Sequence, residues 1–254
     1  MKVVLLCGGK GTRIRDVRAD VPKPMVEIGG VPIVRHLMNF YARFGLTDFV
    51  LCLGYQGDVI REYFSKEAVR HPTVMDVRCD ASFDGESQGQ TWRVTLAETG
   101  RETMTAGRLR RARQFIGDGT FMVTYGDGLS NIDLHRLLHK HNSIGKILTV
   151  SGVRPPSRFG ELTISEDLVV GFNEKPQTSS GLISGGFFVA ETTIFDYLGT
   201  SDETMFEREP IEALVAAREV SVYVHTGFWQ CMDTYRDWEY LNELAKEGDA
   251  PWMV

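Results

Sequence analysis

Apolar positions follow two rhythms along the chain. The continuous β-type runs VVLLC (3–7), DFVLCLG (48–54) and TFMVTY (120–125) match strands buried on both faces of a sheet. Between them, apolar residues recur at helical spacing in IVRHLMNFYARF (33–44), DVIREYFSK (58–66) and AGRLRRARQFI (106–116). Pro32 opens the first of these helices and Gly45 closes it. TVMDVRCD (73–80) and WRVTLAE (92–98) read as strands around a polar surface loop, 81–91. Strand and helix alternate to about Asn142, which predicts a mostly parallel sheet covered by helices.

Beyond Lys146 the rhythm changes. KILTVSGV, LTIS, VVGFNE, SGGFFVA, VSVYVH and GFWQCMD read as strands. TTIFDYL, PIEALVAAR and TYRDWEYLNELAKEG read as helices. No linker, repeat or low-complexity block interrupts the sequence, so one α/β domain spanning 1–254 is expected. In such sheets ligands collect at the carboxyl ends of the strands.

Composition narrows the partners. The 254 residues carry 28 basic against 34 acidic side chains, a net charge of -6, which argues against a nucleic-acid footprint. No apolar stretch approaches the roughly 20 residues of a membrane span, and the chain starts on a strand rather than a signal peptide. Cys7, Cys52, Cys79 and Cys231 are scattered without a C-x-x-C pair. They read as small core residues of a reducing cytosol, so a cytoplasmic location is expected.

The candidate chemistry begins where the first strand runs into LLCGGKGTR. The spacing is wrong for a P-loop, and Ile14 stands where a dinucleotide fingerprint needs its third glycine. The parts still suit an anion. Gly8, Gly9 and Gly11 let backbone N–H groups converge without a Cβ in the way. Thr12 adds a hydroxyl and Arg13 a forked cation, while Lys23 is stiffened between Pro22 and Pro24. Asp127 in TYGDG and Asp233 in QCMDT each follow a strand, and two carboxylates with phosphate oxygens form a hard-oxygen set that suits Mg²⁺. Taken alone, Asp127 also reads as a turn residue and Asp233 as a helix N-cap. HRLLHKH lacks the glutamate of a zinc H-E-x-x-H helix and reads as a surface helix. Arg110, Arg111 and Arg113 read as a solvated or subunit-facing surface.

The segments LLCGGKGTR, VPKPMVEIGG, TMTAGRL, TYGDG, RFGEL, NEKP, SGGFF and GFWQCMDTYRD, in this order, resemble the sugar-1-phosphate nucleotidyltransferases. TMTAGRL and GFWQCMDTYRD resemble the cytidylyl-transferring branch in particular. The resemblance covers nearly the whole chain. It implies a Rossmann-like domain with a nucleotide-binding half (1–142) and a sugar-phosphate-binding half (143–254). It also implies transfer of a cytidylyl group from CTP to α-D-glucose 1-phosphate for deoxysugar and surface-polysaccharide (lipopolysaccharide) biosynthesis; the alternative is a uridylyl- or thymidylyltransferase acting on a similar or modified hexose phosphate. By resemblance the nucleotide contacts are Leu6, Cys7, Gly8, Gly9, Lys10, Gly11, Thr12, Arg13, Lys23, Thr103 and Arg108. The sugar-phosphate contacts are Glu174, Lys175, Ser184, Gly185 and Gly186, the Mg²⁺ ligands Asp127 and Asp233, and the catalytic group Arg13, Lys23, Asp127 and Lys175. Homo-oligomers are common among such proteins. Three positions depart from the family pattern: Ser184 replaces Asn, Ala106 a glycine and Cys231 a proline.

Overall fold

The computed structural model describes residues 1–9, 21–67, 74–79, 90–155, 161–165, 168–173 and 181–253. In chain order the elements are β1 (Lys2–Leu6), β2 (Glu27–Ile28), β3 (Val31–Pro32), α1 (Ile33–Arg43), β4 (Asp48–Leu53), α2 (Gly57–Glu67), β5 (Val74–Cys79) and β6 (Gln90–Glu98). There follow α3 (Thr105–Ile116), β7 (Phe121–Tyr125), β8 (Gly128–Ser130), α4 (Leu134–Ile144), β9 (Leu148–Val153), β10 (Glu161–Ser165) and β11 (Leu168–Asn173). β12 (Ile183–Ala190), α5 (Glu209–Ala216), β13 (Val220–His225), β14 (Trp229–Cys231) and α6 (Tyr235–Glu247) complete the chain.

β1 lies inside an eight-stranded sheet of order β13-β9-β12-β7-β1-β4-β6-β5. β1 pairs in parallel with β4 and β7, β4 with β6, and β13 with β9. β12 runs antiparallel between β7 and β9, and β5 antiparallel to β6. The expected mixed, mostly parallel sheet is therefore present, and it is continuous across both halves of the chain.

Alternation along β1 feeds two cores. Val3 and Leu5 join Phe49, Leu51 and the α1 residues Val34, Leu37 and Met38 on one face. Val4 and Leu6 join Val50, Cys52 and the α3 residues Ala106, Leu109, Ala112 and Ile116 on the other. The α3 set recurs at three- and four-residue intervals, so one stripe of this otherwise cationic helix is enough to seat it.

Two expectations are corrected. TTIFDYL forms a 3₁₀ turn (Thr192–Tyr197) rather than an α-helix; β-branched and aromatic residues are weak helix formers, and the run is short. HRLLHKH is a helix, but not wholly a surface one. His141 is buried on the sheet side, with Nδ1 bonded to the Thr149 hydroxyl (2.8 Å) and Nε2 to Glu191 (3.0 Å). No helix among the described residues is long and apolar enough to cross a membrane.

Candidate active site

A small antiparallel ribbon assembles the centre of the site. β14 pairs with β8 in the register Trp229↔Ser130 and Cys231↔Gly128, and the Met232 N–H donates to the Asp127 carbonyl (2.8 Å). Asp127, just past β7, and Asp233, just before α6, are thereby brought side by side. Lys23 enters from the 3₁₀ turn Lys23–Met25, set by Pro22 and Pro24. Its Nζ donates to Asp127 Oδ2 at 2.6 Å and to Asp233 Oδ1 at 2.5 Å. The Lys23 side chain is only 12% exposed. Burial alone would lower its pKa, but Asp127 and then Asp233 outweigh that and hold the ammonium above its ordinary value.

The two carboxylates therefore converge on one cation. Among the described residues no group of three or more His, Cys, Asp or Glu side chains is arranged to hold a metal. A divalent ion at Asp127 and Asp233 would complete its shell with phosphate oxygens and water, the usual arrangement for Mg²⁺ beside polyphosphate.

Next to the carboxylates lies a pocket of about 210 Å³, whose walls include Tyr125, Asp127, Ser184, Gly185, Gly186 and Trp229. The three sugar-phosphate positions read from SGGFF are together in it. The glycines are also demanded by the sheet. The register of β12 against β9 shifts between Ser184 and Phe188. Gly186 has φ +77°, and a Cβ there would fall 2.5 Å from the Tyr125 ring. The Trp229 indole N–H donates to the Gly185 carbonyl (2.7 Å) and fixes that turn. Cys231 is another wall residue. Burial, then Asp233 and Asp127, push its thiol up to about 12, so it is neutral and no nucleophile.

The opening loop is used in two directions. Leu6 and Cys7 are buried strand-end residues. At Gly8 a Cβ would collide with the Arg108 guanidinium, whereas at Gly9 no atom of the described residues lies within 4 Å of the Cβ direction. Gly8 thus makes room for a buried arginine, and Gly9 is the position open to a ligand. Arg108 is 4% exposed, and its Nη1 donates to the Leu53 carbonyl (3.0 Å), Thr99 Oγ1 (2.9 Å) and the Gly100 carbonyl (2.7 Å). Nη2 donates to the Gly8 carbonyl (2.9 Å). Direct nucleotide contact was the expectation for Thr103 and Arg108. Both are buried (6% and 4% exposed), and Arg108 holds the Gly8 carbonyl of the opening loop. Lys10, Gly11, Thr12 and Arg13, and likewise Glu174 and Lys175, lie outside the described residues.

Some residues that shape the site escaped the sequence reading. Asp237 accepts from the N–H groups of Asp233 (3.1 Å) and Thr234 (2.8 Å) with one oxygen and from Gln230 Nε2 (2.9 Å) with the other. With Thr234 it forms a capping box at the start of α6, which fixes Asp233 one residue upstream. The T-x-x-D spacing was the signal available for it. Arg110, Arg111 and Arg113, expected at a solvated or subunit-facing surface, are half-buried or exposed; the first two pair with Asp202, and Arg113 lies over the Phe195 ring.

The family model described as nucleotidyl transferase matches residues 2–243. The chain is 43% identical over 254 residues to the probable glucose-1-phosphate cytidylyltransferase of Bacillus subtilis (strain 168), covering 100% of both chains. It is 41% identical over 256 residues to the glucose-1-phosphate cytidylyltransferase of Salmonella typhimurium, covering 100% of this chain and 99% of the other. Among solved structures, HddC from Yersinia pseudotuberculosis superposes with a TM-score of 0.67 at 25% identity, covering 95% of this chain and 98% of that one.

Proposed function

Because the chain belongs to the nucleotidyl transferase family, we propose that it transfers a cytidylyl group from CTP to α-D-glucose 1-phosphate, giving CDP-glucose and pyrophosphate, with Mg²⁺ as the divalent ion. The observation that carries this reading is the 43% identity to a probable glucose-1-phosphate cytidylyltransferase along the full length of both chains. The convergence of Lys23, Asp127 and Asp233 beside a pocket floored by Ser184–Gly186 supports it chemically.

The reaction is a single in-line displacement. A phosphate oxygen of the sugar phosphate attacks the α-phosphorus of CTP, the bond to the β-phosphate oxygen breaks, and pyrophosphate leaves. The attacking phosphate is already ionised at neutral pH, so no protein nucleophile or general base is required. Catalysis is alignment and charge neutralisation. A divalent ion held by Asp127 and Asp233 would supply charge neutralisation at the α-phosphate and the leaving group. Gly9 leaves backbone space for phosphate, and Arg108 fixes the carbonyl of Gly8 from beneath. Lys23 and Arg13 stabilise charge on the triphosphate, and Lys175 with Glu174 brings in the sugar phosphate, as the resemblance implies. Ser184 is shorter than the asparagine of relatives, so the pocket accommodates a larger group at that point; glucose is the sugar proposed.

The test is a matrix of CTP, UTP, dTTP and GTP against glucose 1-phosphate, mannose 1-phosphate and modified hexose 1-phosphates, read as pyrophosphate release. Fastest turnover with CTP and glucose 1-phosphate supports the reading. A clear preference for UTP or dTTP would replace it with the uridylyl or thymidylyl alternative.

A further inference from the structure

Tyr125 ends β7, two residues before Asp127, and its ring walls the pocket. The ring occupies the space that Gly186 leaves bare and meets Phe188 edge-on at 5.6 Å. Its hydroxyl donates to Oε1 of Glu207, a residue on the turn before α5. The other oxygen of Glu207 accepts from the Thr105 hydroxyl at 2.8 Å, and Thr105 Oγ1 in turn accepts the Phe206 N–H at 2.8 Å. Thr105 is the first residue of α3, inside TMTAGRL. A single carboxylate thus joins two segments, TYGDG and TMTAGRL, that are not neighbours in sequence.

The turn carrying Glu207 is itself sewn to α3. The Met104 N–H donates to the Asp202 carbonyl (2.7 Å) and the Ala106 N–H to the Thr204 carbonyl (3.2 Å). Arg110 and Arg111 both reach the Asp202 carboxylate. Glu207 is thereby presented on a braced support. An ionised carboxylate only accepts, so its two oxygens can receive both hydroxyls at once.

We propose that Glu207 is a positioning residue for the sugar-phosphate pocket: it holds the Tyr125 ring against Gly186 and so sets the width available to the hexose. This rests on the pocket being the sugar-phosphate site. Glu207 acts through Tyr125 and makes no substrate contact of its own. Loss of the tether frees the phenol to swing, and the cost falls on the sugar phosphate rather than on the nucleotide.

The test compares Glu207→Ala, Glu207→Gln, Tyr125→Phe and the double variant Glu207→Ala/Tyr125→Phe. Glu207→Ala is expected to raise KM for glucose 1-phosphate about tenfold, since charge-assisted hydrogen bonds are the stronger kind. KM for CTP stays near wild type, while the urea midpoint falls modestly as the two hydrogen bonds of Glu207 are lost. Tyr125→Phe reproduces the effect, the double variant is no worse than either single one, and Glu207→Gln recovers most of the loss. Equal changes in both KM values, additive single variants or a normal Tyr125→Phe enzyme would each overturn the proposal. A second readout needs no turnover. In protein labelled with 3-fluorotyrosine, the ¹⁹F resonance of Tyr125, assigned by its absence in Tyr125→Phe, shifts or sharpens in Glu207→Ala; an unchanged resonance overturns the tether. Absence of wild-type turnover with any hexose 1-phosphate would instead sink the functional reading, and the resonance would still report on the tether.

Discussion

Replacing Lys23 by methionine removes the cation that Asp127 and Asp233 share while keeping an unbranched stem. With Nζ 2.6 and 2.5 Å from the two carboxylates, a divalent ion held by both must first displace the ammonium. A hydrogen bond to a charged group is worth about 1.5–3 kcal/mol net. The aspartates are 31% and 22% exposed, which places this pair toward the low end because solvent screens it. Without Lys23, two like charges about 5 Å apart repel by roughly 3 kcal/mol at an effective dielectric near 20, and bound metal relieves that too. After discounting for exposure, a net gain of about 2 kcal/mol is expected, or roughly thirtyfold tighter divalent binding. Mn²⁺ titration followed by electron paramagnetic resonance, without nucleotide and at low ionic strength, measures it directly. Turnover in the same variant should be lost, because the triphosphate loses its cation. Equal or weaker Mn²⁺ affinity in Lys23→Met would refute the idea that the ammonium sits where the divalent ion binds.

Asp237→Asn should weaken divalent binding about tenfold, since residues that orient metal ligands typically matter at that level. The same change should cost about 1 kcal/mol in chemical denaturation through the damaged cap of α6. His36 is buried with its pKa lowered by burial; its Nε2–H donates to the Ile28 carbonyl (2.9 Å) and its Nδ1 accepts from the Trp252 indole (3.3 Å). The unfolded chain takes up this proton first, so the stability contributed by neutral His36 is present above about pH 6.5 and is lost as pH falls from there toward the lower folded value. Urea midpoints at pH 7.5, 6.5 and 5.5 should decline, and His36→Gln should flatten the slope.

How far the sequence could be read depended on how local each cause was. β1 and β4 were legible because each is an unbroken apolar run, and α1 because Pro32 and Gly45 bound it. Asp127 and Asp233 were legible as motif residues at strand ends. What places them together was not: GFWQCMD reads as a strand, but its partner β8 is only three residues long, and the two pair across about a hundred residues. Lys23 was read as a triphosphate cation, but its seat between the aspartates depends on packing that no local spacing records. The glycines of LLCGGKGTR were read as one phosphate cradle, whereas Gly8 makes room for Arg108, a residue a hundred positions away. Asp202, which pairs with two arginines of α3, and His141, drawn inward by Thr149 and Glu191, escaped for the same reason.

The burial of Arg108 beneath two adjacent strand ends has an evolutionary consequence. Gly8 and Gly54 each leave space that its guanidinium fills, so a methyl group at either site forces that buried side chain to shift and to loosen its bonds to the Gly8, Leu53 and Gly100 carbonyls. These positions form an interlocked trio. An aligned set of descendants should show larger residues at 8 or 54 mainly in lineages that had first shortened 108, a historical order visible without any enzymology.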